Sequence, residues 1–454
     1  MSFQKYLSIV SGNFRKAVKV EWLNPDESVA FEFTNALYDI NVDLSVNYQN
    51  GSRRTCTLTL NNDRNQFPVN FNNIWFGQKF KLWMGVYIDE KTPYYFPQGV
   101  FYISNPSEVY QPSTRTIKLN GVDKWAFLDG TLGGKLHGTY QTNIGNDLLD
   151  AARKLLKISR FDDNFTETDD AMKMVDPISP FISPYFSTKT VYILNTADTQ
   201  DTSKKYYVYN AGVYREYDES KDGAFDKAYS TLYTQEYAKK CPYTAKVERG
   251  KTYADVLLEY ATILCAHIYY DANGRLVIEP MTDEADDITD INKETVWHFT
   301  VEEKQMLGLN TTYNFEKIYN DIIVLGNIVE GRQFKARVQN RNLMSDTCIS
   351  KIGLKTKDPM EDNQYYSDDQ CKELAIYYAK IDTILQKSGD ISSTPLYHLD
   401  VNKLVTVSTP NNNMSKELFL ITGYTLNSSN SMSVNVTSVN VLKDFSVVEA
   451  DVYE

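Results

Sequence analysis

Hydrophobic and polar residues alternate along several short stretches of the first 134 residues. In residues 54–61, Thr55, Thr57 and Thr59 alternate with a cysteine and two leucines. Because successive side chains of a β-strand point to opposite faces, this stretch predicts a strand with one wet or contact face and one core face. Each run ends at a Gly, Asn, Asp or Pro cluster, which is typical of a closed or nearly closed antiparallel β-barrel. The predicted strands are residues 18–22, 40–48, 54–61, 79–88, 99–105 and 114–119.

The later part of the chain mixes helical and strand patterns. Residues 147–157 predict an amphipathic helix capped by Gly145 or Asn146, and Thr252 begins a second helical pattern. A hairpin around Asn273-Gly274 follows. A third helix begins at the capping signal Ser367. Further strands are predicted at 317–325, 333–339, 404–408, 418–426 and 432–442.

Together these patterns predict an α+β fold that is mostly β, with two antiparallel (split) β-barrel domains joined by smaller α/β domains and a strand-rich insertion. A weak echo, YDI at Tyr38 and YNDI at Tyr319 with similarly placed Gly, Arg and Asn residues, reflects either coincidence or a duplicated barrel. The predicted domains are 1–134, the first barrel; 135–175, a helical linker; 176–245, the insertion; 246–300, a helix plus hairpin; and 301–454, the second barrel with a helix at about 367–387.

Composition narrows the function further. The 454 residues carry a net charge of −12, which argues against a protein that wraps phosphate backbones. The five cysteines form no CxxC pair, so reduced thiols in a protein made in a cytoplasm are expected. The N-terminus lacks the apolar core of a signal peptide, and no run of 18 apolar residues occurs, so we expect no membrane-spanning segment. The 33 tyrosines suit partly dry interfaces and β-strands equally well.

Catalytic and ligand-binding motifs are missing from the sequence. The four histidines are far apart, and no nucleophile elbow, P-loop or dinucleotide fingerprint occurs. Asp271 begins a calcium-loop-like stretch, but Thr282 stands where the closing acid belongs. We therefore expect no cofactor, no metal and no enzyme. Adjacent carboxylates such as Asp162 and Asp163 leave glycoside hydrolysis open, although most such pairs are solvated.

An ordered set of segments resembles the phage tail baseplate hub proteins, especially those of phages that infect Gram-positive bacteria. The segments that carry the resemblance are YQNGSRRTCTLTLNN (48–62), IWFGQKFKLWMGV (74–86), FPQGVFYIS (96–104), LNGVDKWAFLDGTLGG (119–134), KTYADVLLEYA (251–261), IYYDANGRLVIEP (268–280), KIYNDIIVLG (317–326) and LYHLDVNKLVTV (396–407). They touch most of the chain outside residues 160–245.

The resemblance implies a homotrimer whose six barrels form a ring that continues the tail tube. Its implied partners are the distal tail or tail tube protein ring, the tape-measure protein, tail tip, fibre or other baseplate proteins, and phage DNA that passes without specific binding. Its implied location is the virion, in the tail baseplate or tip, after assembly in the host cytoplasm. Some members carry a C-terminal peptidase or lysozyme domain, and in a chain that ends at Glu454 we expect none.

Two groups of residues are candidates for contacts. Arg53, Arg54, Thr55, Thr57 and Thr59 are expected to face the channel or a neighbouring chain, although the arginines are equally well ordinary turn charges. Candidate peripheral contacts, to a baseplate protein or to a sugar, are Tyr206, Tyr207, Tyr209 and Tyr214. Two other functions remain open, a tail-associated cell-wall hydrolase and a carbohydrate-binding tail protein that acts through the tyrosine-rich insertion.

Overall fold

A computed structural model of the chain describes most of its residues. They are 2–159, 190–280 and 295–449, apart from 11, 72, 113, 196, 211–212, 226–231, 238–239, 242, 265, 302–305, 330, 364, 366, 411–413, 429–430 and 440–444.

The first part of the chain is almost entirely β-structure. Its elements are α1 (Ser2–Val10), β1 (Lys16–Leu23), β2 (Val29–Thr34), β3 (Ile40–Asn47), β4 (Arg54–Asn61), β5 (Lys79–Tyr87), β6 (Pro93–Ile103), β7 (Ser107–Gln111) and β8 (Thr114–Asp123), followed by one 3₁₀ turn at Lys124–Phe127.

Shorter elements occupy the middle part. They are β9 (Tyr140–Thr142), α2 (Leu148–Ser159), β10 (Thr190–Leu194), β11 (Tyr206–Asn210), β12 (Val213–Glu216), α3 (Glu219–Asp222), β13 (Leu232–Tyr237), β14 (Ala245–Val247), α4 (Tyr253–Ile263), β15 (Ala266–Tyr270) and β16 (Leu276–Pro280).

Strands again dominate the last part. Its elements are β17 (Thr295–Thr300), β18 (Met306–Asn314), β19 (Asp321–Val329), β20 (Arg332–Gln339), α5 (Ile349–Ile352), β21 (Met360–Glu361), α6 (Asp368–Asp382), β22 (Gln386–Ser393), β23 (Leu404–Thr409), β24 (Met414–Leu426), β25 (Met432–Ser438) and β26 (Ser446–Val448).

One 14-stranded sheet joins the two strand-rich ends of the chain. Its main order is β18-β22-β25-β24-β3-β4-β8-β6-β5-β1-β2, with β7 on β8 and with β23 and β17 branching from β24. All of these pairs are antiparallel except β17 with β23. The expected mostly β class is therefore confirmed. Within the described residues the pairing does not close this sheet, because β18 and β2 end its order.

A single hydrophobic core lies under this sheet. Leu58 and Phe80 of the first part and Val405 and Ile421 of the last part are buried in the same cluster, together with Tyr6 of α1. Burial of apolar surface is the main stabilising contribution to a fold, so the two ends of the chain stabilise one another.

A second core holds the small helical unit. Helices α2 and α4 pack with the β15–β16 hairpin around buried residues such as Leu155 and Leu257. Thr252 begins α4 with a full capping box to Asp255. The expected cap of α2 is wrong by one or two positions. The carboxylate of Asp147 accepts the backbone N–H groups of the first turn, which carry the positive end of the helix dipole.

A third core places helix α6 against β19 and β20. Ser367 caps this helix as expected, through the backbone N–H of Gln370. The predicted strands 317–325 and 333–339 fall in this smaller four-stranded sheet, of order β21-β19-β20-β26. The echo at Tyr319 therefore does not mark strands equivalent to β3 and β4, which lie in the large sheet. The predicted domain boundaries stay a prediction.

The described part of the insertion forms a four-stranded sheet of its own, of order β10-β13-β11-β12. Strands β11 and β12 pair as the expected hairpin. Residues 160–189, which include the predicted end of the helical linker and the proline-rich start of the insertion, lie outside the described residues.

Candidate functional site: an arginine junction and a polar sheet face

The two ends of the chain meet where strand β24 changes partner. On one edge β24 pairs with β25. On its other edge it pairs first with β23, over residues 414–420, and then with β3, over residues 423–426. Between these stretches Ile421 accepts the backbone N–H of Asn402, and Thr422 accepts that of Tyr48. No ladder hydrogen bond is lost at this fork, so the strands of both ends form a continuous sheet.

Arg54 lies at this fork with its side chain 2% exposed. Its Nη2 donates to both carboxylate oxygens of Asp400, at 2.6 Å each. Its Nη1 donates to the carbonyl of Gln98 at 3.1 Å and to the hydroxyl of Tyr424 at 3.4 Å. Burial acts to lower the pKa of Arg54, but the charge of Asp400 outweighs it, so the pKa is raised. The guanidinium therefore stays charged and ties β4 and β6 to the last part of the chain.

Arg53 lies beside the same fork and is also buried. Its guanidinium carbon is 3.2 Å from the ring centroid of Tyr269 and 4.9 Å from that of Tyr48, a cation–π arrangement. Its Nε donates to the carbonyl of Gln49 at 2.7 Å. Tyr269 belongs to the β15–β16 hairpin, so Arg53 joins the large sheet to the helical unit.

A buried histidine completes this contact. The hydroxyl of Tyr48 is 2.6 Å from Nε2 of His267, and Nδ1 of His267 is 3.1 Å from Oδ1 of Asn50. Burial lowers the pKa of His267 to about 4, so the ring is neutral near pH 7. Oδ1 of Asn50 also accepts the backbone N–H of Ile268. Because this amide oxygen is an acceptor, we assign the imidazole proton to Nδ1, and Nε2 accepts from Tyr48.

Asp123 holds the two arginines in place from behind. Its Oδ2 accepts the backbone N–H groups of Arg53 and Arg54, at 2.6 and 3.0 Å. Its Oδ1 accepts that of Trp125 at 3.2 Å. Burial raises the pKa of Asp123 to about 6, against the lowering effect of these hydrogen bonds. The carboxylate thus satisfies three backbone donors at the start of β4 and at the 3₁₀ turn.

Sequence reasoning expected both arginines to face a channel or another chain. In the structure their side chains are buried and bind partners within the same chain. Asp400 is 346 residues from Arg54, and no spacing rule connects positions that far apart. The adjacency of Arg53 and Arg54 was visible in the sequence, but their partners were not. A contact with a second chain stays a prediction for the threonines.

The threonines of β4 lie on the opposite face from the core. Thr55 is exposed and Thr57 and Thr59 are half-buried, while the residues between them are buried, as the alternation indicated. Thr55 pairs with Ser45 and Val122, and Thr59 pairs with Asn41 and Lys118.

The same face continues over six neighbouring strands of the large sheet. We call it the polar face. It consists of Ser388, Asp390, Ser392, Ser433, Asn435, Thr437, Thr425, Asn41, Asp43, Ser45, Asn47, Thr55, Thr57, Thr59, Asn61, Thr116, Lys118, Asn120 and Val122. Hydroxyl and amide groups dominate it, and its charged members are Asp43, Asp390 and Lys118. It is drawn from both ends of the chain.

The insertion tyrosines have different surroundings. Tyr206 is buried, and its hydroxyl accepts the backbone N–H of Asp201. Tyr207 is half-buried and donates to the Gln235 side chain at 2.6 Å. Tyr214 stacks on Tyr192 with 3.8 Å between ring centroids. The side chain of Tyr209 lies outside the described residues. These contacts hold the insertion sheet together, and a peripheral partner for it stays a prediction.

Two further observations concern the described ranges alone. No helix in them is long and apolar enough to cross a membrane. No three of their His, Cys, Asp or Glu side chains come together in a way that could hold a metal ion.

Comparisons with known proteins agree with this architecture. The chain matches the tail protein from Neisseria meningitidis MC58 with a TM-score of 0.52 and 10% sequence identity, over 95% of this chain and 98% of that chain. It has the fold of that tail protein. At the level of the fold, this confirms the resemblance that the sequence segments indicated.

Lower scores relate it to two other solved structures. The 43 kDa tail protein of prophage MuSo2 from Shewanella oneidensis gives a TM-score of 0.49 and 11% identity, over 94% of this chain and 100% of that chain. Prophage tail protein gp18 from Listeria monocytogenes EGD-e gives 0.47 and 9%, over 93% and 94%. No protein-family model and no curated protein matches the sequence.

Proposed function

We propose that the chain is a structural hub protein of a phage tail baseplate. Three copies form a ring that continues the tail tube, and the polar face lines the channel through which DNA leaves. The observation that carries this proposal is the polar face itself, because strands from both ends of the chain build it together as one surface.

The chemistry of that face supports a channel rather than a binding site. Nucleic-acid binding rests on Lys and Arg, each of which releases counterions from phosphates. The polar face has one lysine and two aspartates among hydroxyl and amide groups. DNA in contact with such a surface remains hydrated and is not held. The net charge of −12 acts in the same direction.

The partners follow from this role. The ring stacks on the distal tail or tail tube protein ring, the tape-measure protein occupies the channel before ejection, and tail tip, fibre or other baseplate proteins attach outside. The location is then the virion, in the tail baseplate or tip. The fold shared over nearly the full length with a tail protein supports these assignments.

A change of charge on the polar face tests the proposal. The paired substitutions Thr55→Lys and Thr57→Lys add six ammonium groups to a ring of three chains. We expect assembled particles that release DNA more slowly in vitro, with the delay reduced by added salt because salt screens exposed charges. Thr202→Lys, on an exposed loop of the insertion, is the matched control and should release DNA at the normal rate.

Two results would overturn the proposal. One is normal, salt-independent release from particles that contain the lysine pair. The other is a protein that stays a single chain by mass measurement and never joins tail proteins. The proposal assigns no catalytic activity, and clearing of purified peptidoglycan by this chain alone would contradict that assignment.

A further inference from the structure

An aromatic loop projects from the first part of the chain between β4 and β5. We use this name for residues 66–78, of which all but residue 72 are described. Phe71 is 80% exposed, Phe76 64% and Trp75 50%. With roughly 200 Å² per aromatic side chain, these three rings present roughly 400 Å² of apolar surface to water. A contiguous exposed patch of that size marks an interaction site.

The loop is held in one shape by its own contacts. Phe67 and Ile74 are buried in the main core, and the Phe67 ring is 5.2 Å from that of Phe33. The Asn62 side chain exchanges two hydrogen bonds with the backbone of Phe67, and Asn73 donates to the carbonyl of Gln66 at 3.1 Å. The outward aromatic rings are therefore presented by a fixed backbone, which lowers the entropic cost of docking.

The charge of the loop decides the class of its partner. No charged residue occurs between positions 66 and 78. Contact with nucleic acid or with an anionic lipid surface draws on Lys and Arg, which the loop lacks. An uncharged apolar protein surface is the matching chemistry.

The chain itself carries such a surface at the other end of its large sheet. Among the described strands, β18 pairs with β22 alone, so its second edge is free. Along that edge Leu307 is 66% exposed, Phe315 68% and Tyr313 45%, and the strand has no charged residue. A free strand edge with exposed apolar side chains readily binds another chain.

We propose that the aromatic loop of one copy docks on the β18 edge of the next copy. The loop and the edge are different surfaces, so the contact is head-to-tail, and such contacts generate rings when the rotation closes. The loop supplies about half of the ~800 Å² per partner that a stable interface buries, and its aromatic rings form the centre of that interface. The inference rests on the proposed function, in which copies of the chain assemble, and it names the surfaces that meet.

The experiment compares three paired variants of the full-length chain. The loop variant is Phe71→Ser with Trp75→Ser, and the edge variant is Leu307→Ser with Phe315→Ser. The matched control is Leu343→Ser with Met344→Ser, which removes two apolar side chains that are 69% and 85% exposed elsewhere. Mass is measured by light scattering after gel filtration, and far-UV circular dichroism checks that each variant is folded.

The wild type and the control should associate alike, while the loop and edge variants each associate at least about 100-fold more weakly. An equimolar mixture of the two weakened variants should form a complex of two chains, because it retains one intact loop-to-edge contact. Emission from Trp75 should shift to the blue as wild-type concentration rises, because association removes the indole from water.

The failures are distinguishable. A loop variant that assembles like the wild type overturns the docking contact and leaves the hub function standing. A mixture that stays monomeric, although both variants are folded, also overturns the head-to-tail contact. A wild type that remains a single chain at every concentration overturns both proposals.

Discussion

Replacement of Asp400 with asparagine should weaken the junction at which the two ends of the chain meet. The substitution preserves side-chain volume and removes the charge that pairs with Arg54, whose guanidinium is 2% exposed. Loss of one partner of a buried ion pair costs about 3–5 kcal/mol, because the other charge remains in a low-dielectric site. The side chain of Asp400 is 33% exposed, so water screens part of the pair. We therefore expect a loss of about 2–3 kcal/mol.

The assay is urea unfolding followed by tryptophan fluorescence and circular dichroism, with the midpoint converted to a free energy. A double-mutant cycle with Arg54→Met isolates the pair, and we expect a coupling of about 2 kcal/mol between the two positions. Since arginine is charged at every accessible pH and its pKa is raised further here, the loss should be the same at pH 6 and pH 9.

Asp43→Asn is the matched control. Asp43 is an exposed aspartate on the polar face that accepts the backbone N–H of Ser428, so its replacement should change stability by less than about 0.5 kcal/mol. The reasoning is refuted if Asp400→Asn costs no more than this control. It is also refuted if its cost is unchanged when Arg54 is already methionine.

Three other perturbations test the remaining units. Burial raises the pKa of Glu259 to about 7, so the folded chain holds an extra proton between about pH 4.5 and 7 and its stability falls as pH rises through that window. Glu259→Gln should remove this fall when urea midpoints at pH 5 and pH 8 are compared. Thr252→Ala should cost about 1 kcal/mol in urea unfolding, through loss of the α4 capping box. Gly121→Ala places a methyl group 2.7 Å from Cys56 Sγ and should cost about 1–3 kcal/mol, whereas Gly138→Ala meets nothing within 4 Å and should be near neutral.

Much of the local structure was readable from the chain. The alternation in residues 54–61 placed Thr55, Thr57 and Thr59 opposite the core, as the structure confirms. Ser367 and Thr252 marked two helix starts correctly. These signals are local, because side-chain alternation and capping depend on residues within a few positions of one another.

The sequence by itself determined which stretches become strands, which face of each is polar, and the mostly β class. Only the tertiary structure decided that β24 pairs with β3, and so joins the two ends of the chain in one sheet. It also decided that Arg53 and Arg54 are buried, because their partners Tyr269 and Asp400 come from distant parts of the chain. Strand pairing and buried ion pairs depend on which surfaces meet after folding, and that information is absent from any local pattern.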